Sequence, residues 1–133
     1  MRLFIDTNIF LDVVFERENY KEAVIILNSI EQGIFEGIIL DITILNIDYI
    51  ANRQNVNIKS FLSAINDIFL VVGATNEDIK MALNYTNKDL EDNLQYILAL
   101  KYECDLIISN DKNFIKRDLK VLNSKEFINR FLN

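Results

Sequence analysis

Hydrophobic and polar positions divide the chain into two alternating kinds of segment. Five short, mainly apolar runs predict buried β-strands at residues 3–5, 37–40, 69–72, 106–108 and 120–122. The longer segments between them carry apolar residues at helical spacing, as Ala23, Ile26, Leu27 and Ile30 do. Helices are predicted at residues 7–16, 20–32, 42–53, 57–68, 89–103 and 124–131, and one more begins at residue 75.

Local signals mark several of these boundaries. Gly33 follows the second helix at the usual C-terminal position, and Asp41 is predicted to cap the third helix. Thr75 and Asp78 have the spacing of a capping box. Apolar strands alternating with helices are typical of a parallel sheet covered on both faces. The sequence therefore predicts a three-layer α/β/α fold with a central, mainly parallel sheet of about five strands, as a single domain over residues 1–133.

Composition narrows the chemistry that the chain can perform. It contains no histidine and a single cysteine, Cys104, which excludes Ser–His–Asp and Cys–His catalysis and zinc sites built on those ligands. Carboxylates must therefore carry any catalysis. The net charge of −6 argues against a general nucleic-acid coat protein, but not against a nuclease whose metal ions reverse the local charge.

The sequence also predicts where the protein works. The opening apolar run is too short for a signal peptide, and no stretch is long and apolar enough to span a membrane. A lone cysteine fits a reducing compartment. We expect a cytoplasmic protein with no membrane partner.

Acidic residues follow three of the predicted strands. Asp6 comes directly after the first strand, Asp41 after the second, and Asp111 lies three residues past the fourth. Each could simply cap a helix. However, the carboxyl ends of parallel strands meet at one edge of a sheet, which is where ligands gather in such folds.

The segment DLEDNLQYILAL adds further acids. Asp89 and Asp92 are three residues apart and share a helix face, whereas Glu91 is predicted to point elsewhere. We expect Asp92 to approach Asp6 and Asp111. Carboxylates held close together repel unless a proton or a cation lies between them, and all-oxygen ligands suit Mg²⁺ or Mn²⁺. Such an ion could activate water and stabilise charge on a phosphate.

Three segments, FIDTNIFLD, DLEDNLQYILAL and LIISNDKNF, resemble the PIN-domain family in sequence and order. The nearest likeness is to its small stand-alone members, which include the VapC-type ribonuclease toxins. The resemblance implies a PIN-like fold and an RNA-cleaving site of about four acids that uses Mg²⁺ or Mn²⁺. It leaves open an antitoxin protein and a homodimer as partners, beside the RNA substrate.

Carried over by motif, the catalytic and metal-binding acids are Asp6, Asp92 and Asp111, and Asp89 and Glu91 are acidic neighbours of Asp92. The supporting positions are Asn8, Asn46, Asp89 and Ser109, with a hydrogen-bonding role for the Asn8 side chain.

One position departs from the family pattern. A glutamate is expected on the helix after the second strand, and Asn46 stands there. Asp48 lies about 200° around a helix from Asn46, so we expect Asn46 to face the site and Asp48 to make a structural hydrogen bond. Asp41 is a poorer candidate for the missing charge. Because this helix is apolar nearly all round, we expect it to be buried.

The missing acid keeps an alternative open, namely a catalytically weakened or inactive PIN-fold module that binds RNA or protein. A haloacid-dehalogenase-like phosphatase is disfavoured because Asn8 stands where that class needs a second aspartate. Several basic residues follow the fourth acid and could contact phosphate, although for any one of them a solvated surface role is favoured: Lys112, Lys116, Arg117 and Lys120.

Overall fold

A computed structural model describes all residues, 1–133, as five strands and seven helices. The strands are β1 (Arg2–Ile5), β2 (Glu36–Leu40), β3 (Leu70–Val72), β4 (Leu106–Ile108) and β5 (Val121–Leu122). The helices are α1 (Thr7–Val14), α2 (Tyr20–Glu31), α3 (Asp41–Arg53), α4 (Lys59–Ile68), α5 (Asn76–Leu83), α6 (Leu90–Lys101) and α7 (Ser124–Phe131). None of these helices combines the length and the hydropathy that crossing a membrane requires.

All five strands form one parallel sheet in the order β3-β2-β1-β4-β5. The chain moves outward from β1 to β3 and then returns to place β4 on the other side of β1. The strand order therefore reverses between β1 and β4. In open parallel sheets the crevice beyond the carboxyl ends of such a strand pair is the usual ligand site.

Alternation along β1 explains why the sheet is covered on both faces. Leu3 and Ile5 belong to one apolar core and Phe4 to the other, and all three are fully buried. The first core includes residues of α1, α2, α3, α4 and α7, and the second includes residues of α5 and α6. The predicted three-layer α/β/α class and the parallel sheet of about five strands are confirmed.

Helix boundaries agree with the sequence in two places and differ in a third. Gly33 has φ +79° just after α2, and Thr75 and Asp78 form the predicted capping box of α5. The prediction that Asp41 caps α3 is wrong. The strand β2 runs straight into the helix, so Leu40 takes the N-cap position with extended backbone and Asp41 is already helical.

The expected burial of α3 is also wrong. Thr43, Ile47 and Ala51 are buried, whereas Leu45 and Tyr49 are 68% and 60% exposed. The helix therefore packs through one side only. The number of apolar residues in α3 does not predict how many of its faces are buried, because single exposed apolar residues are common on protein surfaces.

Candidate active site

A small acidic cavity of about 120 Å³ opens beyond the carboxyl ends of β1 and β4. It lies where the strand order reverses. Its walls come from the start of α1, from α3, from the start of α6 and from the loop after β4. The lining residues are Asp6, Thr7, Asn8, Leu11, Asn46, Ile50, Asp89, Glu91, Asp92 and Asp111.

Asp6 holds the position of an N-cap residue for α1 but makes no capping hydrogen bond with its side chain. Its two carboxylate oxygens accept hydrogen bonds from Gln95 Nε2 at 3.0 Å and from Ser109 Oγ at 2.8 Å. Burial raises the pKa of Asp6, the Gln95 and Ser109 donors lower it, and the charge of Asp111 raises it further. The Asp6 side chain is therefore held by Gln95 and Ser109 and does not cap α1.

Two more acids come from the start of α6. Asp89 is the N-cap residue, and its Oδ1 accepts a hydrogen bond from the backbone N–H of Asp92 at 3.1 Å. Burial, followed by the charges of Asp6, Asp89, Asp111 and Glu91, raises the pKa of Asp92 to about 8. Asp92 is only 6% exposed, which is consistent with the large effect of burial on its pKa. With this pKa, the Asp92 carboxyl holds a proton near neutral pH unless a cation offsets the surrounding charge.

The loop after β4 brings Asp111 to the cavity. Its backbone N–H donates to Ser109 Oγ at 3.2 Å, and its Oδ1 accepts from the backbone N–H of Asn113 at 2.8 Å. Asn110 fixes this loop by donating to Asp12 of α1 at 3.1 Å and by accepting from Ser124 Oγ at 2.7 Å.

Asn46 and Glu91 meet across the cavity. Asn46 Nδ2 donates to Glu91 Oε1 at 2.8 Å, and Thr7 Oγ1 donates to Glu91 Oε2 at 2.7 Å. The prediction that Glu91 points elsewhere is wrong. Because Asp89 is a non-helical cap and the cavity lies at the N-terminal end of α6, the consecutive residues Glu91 and Asp92 both line it.

The remaining predicted residues divide between the cavity and its surroundings. Asn8 lines the cavity. Its side chain makes no hydrogen bond within the chain, so the hydrogen-bonding role that we predicted for it has no protein partner. Asp41 does not line the cavity. Asp48 lies outside the cavity and makes a structural hydrogen bond, as expected. It accepts this bond from Asn52 Nδ2, one helical turn farther along α3, at 3.2 Å.

Sequence reasoning missed two contributors, Thr7 and Gln95, and gave Glu91 the wrong direction. Gln95 carried a readable signal, because it is a polar residue in an apolar helix, three positions after Asp92 and therefore on the same face. Thr7 had no such signal, since a threonine at the start of a helix is common.

The donor chemistry of the cavity fits a hard divalent cation. Every polar side chain that lines it offers oxygen, and none offers sulfur or imidazole nitrogen, which suits Mg²⁺ or Mn²⁺. As they stand, no three acidic side chains in the chain converge closely enough to hold a metal ion. Binding a cation would therefore require the carboxylates to close around it.

A larger groove of about 970 Å³ is lined by residues that are close in sequence to residues of the cavity. Residues 84–87 and 112–117 line the groove, while Asp89 and Asp111, next to these segments, line the cavity. Exposed Lys112, Lys116 and Arg117 give the groove its positive charge. The Arg117 guanidinium lies 4.4 Å from the centre of the Tyr85 ring, a cation–π distance. Lys120 is not part of this groove.

Comparison with known proteins shows what the chain as a whole resembles. A sequence model described as PIN domain matches residues 2–113 of the chain. A protein named Ribonuclease VapC1, from Aquifex aeolicus strain VF5, is 31% identical over 139 residues, which cover 98% of this chain and 95% of that protein.

Solved structures with low sequence identity share the fold. One is a toxin–antitoxin complex from Klebsiella pneumoniae, with a TM-score of 0.69 and 16% identity, covering 92% of this chain and 97% of that one. Another is VapC20 of Mycobacterium tuberculosis, described as a sarcin–ricin loop cleaving toxin. Its TM-score is 0.69 at 13% identity, and the match covers 84% of this chain and 92% of that one.

Proposed function

The chain belongs to the PIN-domain family, and on that premise we propose that it is a metal-dependent endoribonuclease acting as a single PIN-like domain. The observation that carries the proposal is the cavity at the strand-order reversal, which Asp6, Asp92 and Asp111 all line. The similarity to a protein named as a ribonuclease supports the reaction class.

In this proposal, Asp6, Asp92 and Asp111 hold Mg²⁺ or Mn²⁺, with Asn8, Asn46, Asp89 and Ser109 in support. A bound divalent cation supplies positive charge that lowers the pKa of a bound water and offsets charge on a phosphodiester. Gln95 and Ser109 orient the Asp6 carboxylate by donating to its two oxygens. Asp92 has to release its proton to act as a ligand, because only the ionised carboxylate binds a cation well.

RNA is the substrate that the surroundings of the cavity support. Lys112, Lys116 and Arg117 line a groove beside the acids and offer charge for a phosphate backbone. The exposed Arg117 guanidinium lies over the Tyr85 ring and adds a planar cationic group suited to an unpaired base. We infer that a single-stranded region of RNA passes through this groove.

We also propose that the chain is the toxin of a toxin–antitoxin pair and works in the cytoplasm. The named ribonuclease relative and the toxin–antitoxin complex with the same fold support an antitoxin partner. A homodimer stays a prediction.

The experiment is cleavage of a labelled single-stranded RNA by the purified protein. We expect cleavage with Mn²⁺ and none in EDTA. Asp92→Asn should lower the rate on the order of a hundredfold or more, since electrostatic groups at reacting centres carry terms of that size. The control is Asp67→Asn, which removes an exposed carboxylate on α4, far from the acids along the chain.

Two outcomes would refute the proposal. Equal cleavage in EDTA and Mn²⁺ would exclude a metal mechanism. RNA binding without cleavage, with Asp92→Asn making no difference, would instead support the non-catalytic binding module that Asn46 suggested.

A further inference from the structure

We propose that Glu91 supplies the carboxylate that position 46 lacks, so that the site has four acids, with Asn46 acting as the donor that positions the fourth. This inference rests on the proposed function and assigns a residue to it. The observation behind it is the contact between Asn46 and Glu91 across the cavity.

The placement of Glu91 is fixed from two sides. Asn46 Nδ2 donates to one carboxylate oxygen at 2.8 Å and Thr7 Oγ1 donates to the other at 2.7 Å. Thr7 Oγ1 is itself 2.9 Å from Thr43 Oγ1, which ties α1 to α3. A long flexible side chain held at both oxygens has lost most of its rotamer freedom.

The contact also explains why an amide at position 46 is compatible with an acidic site. A carboxylate at 46 has no hydrogen to donate and would repel Glu91, whereas the asparagine amide donates a hydrogen bond to it. The negative charge expected on α3 is thus present on the facing first turn of α6. An acidic residue is favoured there by the helix dipole.

Glu91 remains close to the other acids. It lines the same cavity as Asp6, Asp92 and Asp111, and the charges of Asp6 and Asp89 help to raise its pKa. Its oxygens keep free lone pairs after accepting one hydrogen bond each, so Glu91 can contact a cation or a cation-bound water without giving up either donor. It is therefore suited to bind metal and not only to link two helices.

The test measures Mn²⁺ affinity by calorimetry, with no RNA present. Glu91→Gln keeps the volume of the side chain and removes its charge, and we expect the dissociation constant for Mn²⁺ to rise about tenfold or more. The matched control is Asp41→Asn, which removes an exposed acid near the same edge of the sheet but outside the cavity. It should leave the affinity unchanged.

A charge swap tests whether the two positions are equivalent. The double variant N46E/E91Q returns the carboxylate to α3 and places an amide donor on α6. We expect it to recover the affinity lost by Glu91→Gln alone. Circular dichroism and melting in EDTA establish that each variant is folded.

The outcomes separate this inference from the function it rests on. Unchanged Mn²⁺ affinity in folded Glu91→Gln would overturn it, as would a folded double variant that binds Mn²⁺ as weakly as Glu91→Gln. An effect of Asp41→Asn equal to that of Glu91→Gln would also overturn it. If the native protein binds Mn²⁺ and Glu91→Gln weakens that binding, but RNA is never cleaved, the proposed function fails and the assignment of Glu91 stands.

Discussion

The proton on Asp92 predicts how the stability of the metal-free protein depends on pH. The pKa of this carboxyl is raised from 3.8 to about 8, chiefly by burial and then by neighbouring charges. As pH rises, the unfolded chain releases this proton first, because its pKa is the lower one. The folded state therefore loses stability between those two values and has lost the whole contribution above the higher one.

The size of the effect follows from the shift. One pKa unit corresponds to about 1.4 kcal/mol. Between about pH 6 and about pH 8 the folded state still holds most of this proton, whereas the unfolded chain has released it. The free energy of unfolding therefore falls by about 2 kcal/mol over this range. For a domain of this length that lowers the melting temperature by roughly 8 °C. Asp92→Asn cannot ionise, so its melting temperature should fall clearly less than that of the native protein over the same range, and the raised pKa values of Asp6 and Glu91 account for the remaining decrease.

The assay is thermal melting followed by circular dichroism in EDTA across that pH range. The control variant is Asp67→Asn, which should melt like the native protein at each pH because the residue is exposed. If Asp92→Asn and the native protein lose stability in parallel, the proton is not on Asp92 and the reasoning from burial and charge is wrong.

Three further predictions concern the site, the groove and the core. Adding Mn²⁺ at about pH 8 should raise the free energy of unfolding by about 3 kcal/mol when its concentration is a hundredfold above the dissociation constant. A melting temperature that does not change with Mn²⁺ concentration would count against a metal site. The double variant K116A/R117A should weaken RNA binding severalfold, with less salt dependence, while Mn²⁺ affinity stays constant; equal RNA binding would remove the groove from the proposal. Gly37→Ala should lower the free energy of unfolding, measured by urea titration, by about 1–3 kcal/mol, because a Cβ at this position would lie 2.5 Å from the Phe69 ring. An unchanged urea midpoint would show that the Phe69 ring moves aside without cost.

Much of the fold could be predicted because local signals and burial agree. The strand cores appear in the sequence as uninterrupted apolar runs, since both faces of a parallel sheet are covered. Asp41 shows where such reasoning fails. A cap depends on whether the chain leaves a residue between strand and helix, and that follows from the geometry of β2 and α3 and not from residue type.

The site was predictable to the extent that the topology brings strand ends together. Asp6 and Asp111 follow adjacent strands, β1 and β4, so their proximity follows from the order of the sheet. Glu91 was not predictable in this way. Helical periodicity assigns faces along a helix, but residues at its N-terminal end surround the axis and can all reach a cavity placed there. The Asn46 contact was hidden for the same reason, because it joins two helices that are distant in sequence.

Features that work against stability converge on this one cavity. Asp92 is buried with a strongly raised pKa, and Glu91 is held beside other carboxylates. Gln95 Oε1 is fully buried without a hydrogen-bond partner, an arrangement that costs about 1–3 kcal/mol. Turning the Gln95 amide around would not remove this cost, because its oxygen would then face the Asp6 carboxylate in place of the donor. Unfavourable features of this kind are typical of functional sites, and here all of them lie at or beside the residues that we propose as metal ligands.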